Sequence, residues 1–181
     1  MKLASLIRRP IALLVVSGLT GCANAAGGNL TSTPAAFTDP FAYCAAVSTI
    51  DAPDARYTGP QVPDAVVNGL RKALHASSDL PSDVLARGTS WRCMDGRVYA
   101  CFVGANLPCE SKANTDRTPT QPERDYCAQN PNSDFIPAVV TGRETVYEWR
   151  CVNGEPQIAR QLAQPDARGF ISNIWYAISP N

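Results

Sequence analysis

Ser90-Trp91-Arg92-Cys93-Met94-Asp95-Gly96-Arg97-Val98-Tyr99-Ala100-Cys101 is the stretch whose reading decides the fold. Asp-Gly between two runs of strand formers is a strong short-range hairpin signal. A two-residue loop there pairs Met94 with Arg97, Cys93 with Val98, Arg92 with Tyr99 and Trp91 with Ala100. Side chains alternate along a strand. Trp91, Cys93, Val98 and Ala100 therefore share one face, and Arg92, Tyr99 and Cys101 the other. Cys93 and Cys101 face opposite ways and are not expected to bond each other.

The pattern returns 58 residues later, at 149 against 91, as Trp149-Arg150-Cys151-Val152-Asn153-Gly154. The same alternation puts Trp149, Cys151 and Ile158 on one face. It predicts that each Trp packs in the core beside a disulfide and that Arg92 and Arg150 turn to solvent. The competing reading is a pair of Trp/Arg binding platforms, since both side chains are common anchors and Arg stacks on indole.

Outward from the hairpins, four segments read as helical. Asp39 caps a short helix to Val47, with Pro40 in the first turn, where a missing N–H costs nothing. Pro63 to Ala76 carries an apolar stripe of Val62, Val66, Leu70, Ala73 and Leu74. Asp64 lies near its start, and Arg71, Lys72 and His75 near its end, as the helix dipole favours. A helical turn is expected at Ser82 to Arg87. Thr120 and Glu123 form a capping box for a helix to Gln129.

The last third reads as a meander. Phe135 to Val140 is extended, with Pro137 marking an edge or bulge. Thr145 to Val152 and Glu155 to Leu162 are partners across Asn153-Gly154, and Phe170 to Ile178 gives a final strand. The sum is an α+β domain. About five or six antiparallel strands build its sheet on the two Trp-Arg-Cys hairpins, with two or three helices packed on it.

Seven cysteines are present. Cys44, Cys93, Cys101, Cys109, Cys127 and Cys151 make an even set, which in an oxidising compartment reads as disulfides joining the layers. Six cysteines allow fifteen pairings. Proximity suggests Cys101 with Cys109. No C-x-x-C occurs and the single His75 stands far from any Cys cluster, so a metal site is not expected.

The seventh cysteine ends a different pattern. Lys2, Arg8 and Arg9 precede an apolar run from Ile11 to Leu19, too short to span a bilayer. It closes on Leu19-Thr20-Gly21-Cys22, which resembles the lipobox of bacterial lipoproteins. The resemblance implies a signal peptide over 1–21, cleavage after Gly21 and acylation of Cys22. Several acyl chains make a stable anchor where one alone is marginal. Ala23, rather than Asp, follows the lipobox Cys, which by analogy with enterobacterial sorting points to the outer membrane. Residues 22–38 are rich in Ala, Gly, Asn, Ser, Thr and Pro and read as a tether. That leaves 39–181 as a single domain. Its stretches Trp91 to Cys109, Tyr147 to Cys151 and Arg168-Gly169-Phe170 resemble uncharacterised exported bacterial proteins, which implies a compartment and nothing about activity.

The 16 basic residues include Lys2, Arg8 and Arg9 of the leader, which leaves 13 against 16 acidic groups, a net of −3. No basic stripe remains, so nucleic-acid binding lacks its electrostatic driving term. No G-x-S-x-G elbow accompanies His75, no Gly-rich phosphate loop occurs, and an even set of paired cysteines leaves no free thiol. No catalytic residue, cofactor or metal is therefore expected. The reading is a lipid-anchored envelope protein, a non-catalytic binding module for a protein or glycan partner, with inhibition of an enzyme as one form of that role. The alternative is a structural or accessory subunit of an envelope assembly; a small hydrolase ranks below both. Candidate recognition surfaces are the Pro-rich loop from Asp51 to Pro63, with Arg56 and Tyr57, and the polar loop from Lys112 to Pro119.

Overall fold

The computed structural model describes residues 36–180. Cys22, the expected signal peptide and most of the expected tether lie outside the described residues. Within them the order is α1 (Pro40–Val47), α2 (Asp64–Ala73), α3 (Ser82–Arg87), β1 (Thr89–Met94), β2 (Arg97–Phe102), α4 (Gln121–Gln129), α5 (Ala138–Thr141), β3 (Tyr147–Val152), β4 (Glu155–Gln161) and β5 (Tyr176–Ile178). The class is α+β, and three disulfides join Cys44 to Cys93, Cys101 to Cys109 and Cys127 to Cys151.

The strands form two antiparallel sheets rather than one, β1-β2-β5 and β3-β4. In the first hairpin Met94 faces Arg97 and Trp91 faces Ala100. Asp95 (φ 51°) and Gly96 (φ 75°) both take positive φ, as do Asn153 (φ 50°) and Gly154 (φ 86°) in the second. Positive φ at both central residues gives the turn twist that suits two-residue hairpins. The second hairpin slips at a bulge between Glu148 and Trp149, after which Trp149 faces Ile158.

Three apolar clusters result among the described residues. Trp91, Cys93, Val98 and Ala100 meet Tyr43 and Cys44 of α1, Val66, Val67 and Leu70 of α2, and Leu85 of α3. The α2 stripe packs so closely that a Cβ on Gly69 would meet Ile178 of β5 at 2.3 Å. In the second cluster, Trp149 and Cys151 meet Cys127 of α4, Ile136 and Ile171. Glu123 reaches back to the Thr120 backbone N–H at 2.6 Å, closing the start of α4.

Three expectations need correction. Phe135 to Val140 is not a strand: after Pro137 the chain makes the single turn α5, and Val140 N–H donates to Pro137 C=O. Proline fixes the φ of that first turn and has no N–H to offer a ladder. With six-residue α3 this gives five helices among the described residues rather than two or three. The last segment is a strand only over Tyr176–Ile178, because Ser172–Ile174 coils into a 3-10 turn first.

The third concerns Arg92, which does not face solvent; it is 1% exposed. Alternation assigns its face correctly, since Arg92 lies opposite Trp91. That face is covered by Phe170, Trp175 and the Cys101–Cys109 disulfide. Arg150 is exposed as expected.

A cleft beside the first hairpin

The candidate site forms where the chain leaves the edge of β1. Ile50 exchanges two backbone hydrogen bonds with Cys93, at 3.0 and 3.1 Å. The chain then swings away through Asp51-Ala52-Pro53. It returns at Gln61, whose C=O accepts from Trp91 Nε1 at 2.7 Å. Between departure and return lies a cleft of about 760 Å³, lined by Asp51, Tyr57, Trp91, Glu110, Phe170 and Trp175 among others. That volume suits a small ligand or a few residues of a larger one.

Aromatic rings form its walls. Tyr57 stands edge-on to Trp91 with centroids 4.9 Å apart, and Tyr43 lies 5.4 Å from Tyr57. Phe170 and Trp175 pack edge-to-face at 5.7 Å. Behind them the Arg92 guanidinium lies 4.4 Å from the Phe170 ring centre and 4.2 Å from that of Trp175. Its Nη2 donates to Asp166 Oδ2. A buried guanidinium needs such a carboxylate, because an unpaired ion away from water costs several kcal/mol, on the order of 3–5. Burial raises the Asp166 pKa, but the Arg92 bond and backbone N–H groups of Arg168 and Phe170 outweigh it and hold the group below the usual range.

A charged cluster closes one end. Asp51 accepts from Arg168 at 2.8 and 3.1 Å and from Lys112 at 2.8 Å. Lys112 Nζ also sits 3.5 Å above the Phe170 ring. The Arg168 bonds, opposed by some burial and reinforced by Lys112, hold the Asp51 carboxyl at about 2. This cluster ties the 51–53 bend to the segment that carries Phe170.

Some polar atoms at the cleft have no partner among the described residues. Tyr57 Oη and Trp175 Nε1 are buried and unbonded, as are Nε and Nη1 of Arg92 behind them. Buried donors are normally satisfied, and these four stand without a protein partner in and behind the wall of the cleft. Burial, followed by the charge of Asp39, raises the Tyr57 pKa, so its hydroxyl keeps its proton.

The sequence candidates separate here. Tyr57 lines the cleft, although it packs on the core rather than standing free in solvent. Arg56 is exposed and bound to its own loop, with Nε 2.9 Å from Asp54 Oδ2. Of the polar loop, Lys112 reaches the cleft. Asp51, at the start of the Pro-rich loop, also lines the cleft, whereas sequence reasoning missed Phe170 and Trp175 as site residues. Their signal was weak, because Phe170 meets Asp51 from 119 positions away (51 against 170) and nothing local links them. Among the described residues no group of three or more His, Cys, Asp or Glu is placed to hold a metal, and no helix is long and apolar enough to cross a membrane. Compared with protein-family models, curated proteins and solved structures, the chain finds no match.

Proposed function

We propose that this chain is a bacterial envelope lipoprotein, anchored through acylated Cys22, whose disulfide-stapled domain binds a protein or glycan partner without catalysing a reaction. The Leu19-Thr20-Gly21-Cys22 ending of a short apolar leader supports the anchor. Three disulfides suit an oxidising compartment such as the periplasm or cell surface. In this reading the two Trp-Arg-Cys hairpins are the repeated units on which the domain is organised.

The observation that carries the binding role is the aromatic-walled cleft with buried, unpartnered Tyr57 Oη and Trp175 Nε1. Flat rings along an open cleft suit either a sugar face or a peptide. Anchoring is tested by metabolic labelling with palmitate: Cys22→Ser abolishes the label and releases the protein from membranes. Binding is tested on the full-length protein in detergent, by titrating chitohexaose and short extended peptides against tryptophan emission. A saturable change with one class, lost in Tyr57→Ala, supports the reading. A flat response to both classes contradicts it.

A second reading, an accessory subunit of an envelope assembly, draws on one feature. Phe135 and Val139, on either side of Pro137, are 58% and 92% exposed, which suits a protein contact on the second half of the domain. Stoichiometric co-purification that is lost in Val139→Asp distinguishes this reading.

A further inference from the structure

The site is more than a cavity: it is an unfinished sheet edge. β1 lies at the outside of its sheet. Cys93 bonds outward to Ile50, so by the alternation of an antiparallel ladder Trp91 and Thr89 also turn their N–H and C=O outward, while Ser90, Arg92 and Met94 turn theirs to β2. Had the chain continued past Ile50 along β1, Ala52 would face Trp91 and Asp54 would face Thr89. Instead the Asp54 N–H goes to Tyr43 Oη at 3.0 Å. The strand that would complete the edge is diverted, and the cleft lies in its path.

The path runs on beyond the first cleft. A second cavity of about 780 Å³ shares Gln61, Val62, Thr89, Ser90 and Glu110 with it. Together they form a groove along β1. One wall is the Gln61-Val62 return loop on the Trp91 face. The other is Glu110 on the Ser90 face, where Ser90 Oγ donates to Glu110 Oε1 at 3.0 Å. Asp51 and Asp54 have cationic partners, whereas Glu110 has none among the described residues.

We propose, building on the binding role above, that the ligand is an extended peptide segment of a partner protein. It adds antiparallel to β1, in line with Ile50, and has an apolar–basic–apolar pattern. The pattern follows from register. Residues opposite Trp91 and Thr89 make the backbone bonds and share the Trp91 face, which Tyr57 and Val62 line, so they are apolar. The residue between them lies opposite Ser90 and meets Glu110, so it is Lys or Arg. Backbone bonds supply affinity and alternate side chains supply specificity in such strand addition.

The probe is acetyl-Val-Lys-Val-Lys-Val-amide, titrated against the full-length protein in detergent by calorimetry and tryptophan emission. N-methylation of the valines removes the donors that face β1 and weakens binding by about tenfold or more, whereas N-methylation of the lysines leaves it within about twofold. Glu110→Lys reverses the preference toward acetyl-Val-Glu-Val-Glu-Val-amide. Because the peptide pair is read on unaltered protein, the result does not depend on any variant folding. Equal binding of the two methylated peptides overturns strand addition. Binding of chitohexaose without any peptide overturns this inference and leaves the binding role intact. No response to either class overturns both.

Discussion

Arg92 and Arg150 hold the same place in two like hairpins, between a buried Trp and a disulfide-bonded Cys. One is 1% exposed and sits in the corner formed by Phe170 and Trp175; the other is in solvent. The local sequence sets which face each side chain takes, and in both hairpins the Trp and Cys turn inward. What lies over the opposite face is set elsewhere, by chain that arrives much later. The segment from Asp166 to Ile178 covers the first hairpin, adding β5 to its edge, and leaves the second hairpin one-sided. The first hairpin is thereby covered on both faces and keeps only a stretch of its β1 edge open, which is where the cleft lies.

The largest test of this contrast is at the two arginines. Arg92→Ala strands the Asp166 carboxylate and removes two ring contacts, with an expected loss of about 3–5 kcal/mol. Arg150→Ala stays within about 0.5 kcal/mol. Urea denaturation of both variants reads the difference, and equal losses would break the comparison. Next are the staples. The Cys44–Cys93 bridge spans 49 residues, Cys127–Cys151 spans 24 and Cys101–Cys109 spans 8. Loop-closure entropy gives losses of about 4, 3.5 and 2.5 kcal/mol for the respective double Ala variants. A reversed order would show that native packing, not chain constraint, governs them.

Smaller effects test where the hairpins are alike. Gly96 and Gly154 both sit at positive φ, and a Cβ on either meets nothing closer than 3.9 Å. Ala at either position is expected to cost about 1 kcal/mol through backbone strain alone. A much larger cost at Gly96 would mean that the first turn is packed rather than merely bent. The smallest effect is a pH response at the cleft. Asp51 is lowered from 3.8 to about 2 when folded. Its contribution is therefore fully present above about pH 4 and is lost as pH falls toward 2, where protonation frees Lys112 and Arg168. Tryptophan emission in Trp149→Phe reports only Trp91 and Trp175, which both line the cleft, and should change across that window. Asp51→Asn should reduce the change, the remainder coming from Asp54 and Asp166, whose carboxyls are also lowered.

How much of this was legible depends on range. The hairpin register follows from the Asp95-Gly96 turn, and face alternation already separated Cys93 from Cys101. The capping of α4 follows from Thr120 and Glu123, which are three residues apart. Two sheets in place of one, and the burial of Arg92, were not legible, because both depend on where the chain after Gln161 comes to rest. An Arg beside a Trp reads as solvent-facing unless a carboxylate and two rings are known to await it. Asp166, Phe170 and Trp175 lie more than 70 residues away (92 against 166). The cleft was half visible. Tyr57 stands out in its Pro-rich loop and lines the cleft, whereas exposed Arg56 pairs with Asp54 two residues before it.

That the first hairpin bears the binding site and the second is scaffold is tested by photocrosslinking the full-length protein in cells. A benzophenone side chain replaces exposed Gln61 at the cleft in one strain and exposed Gln157 on β4 in another. The account predicts a discrete adduct from position 61, reduced by Tyr57→Ala, and none from position 157. An adduct from 157 with none from 61 would contradict it.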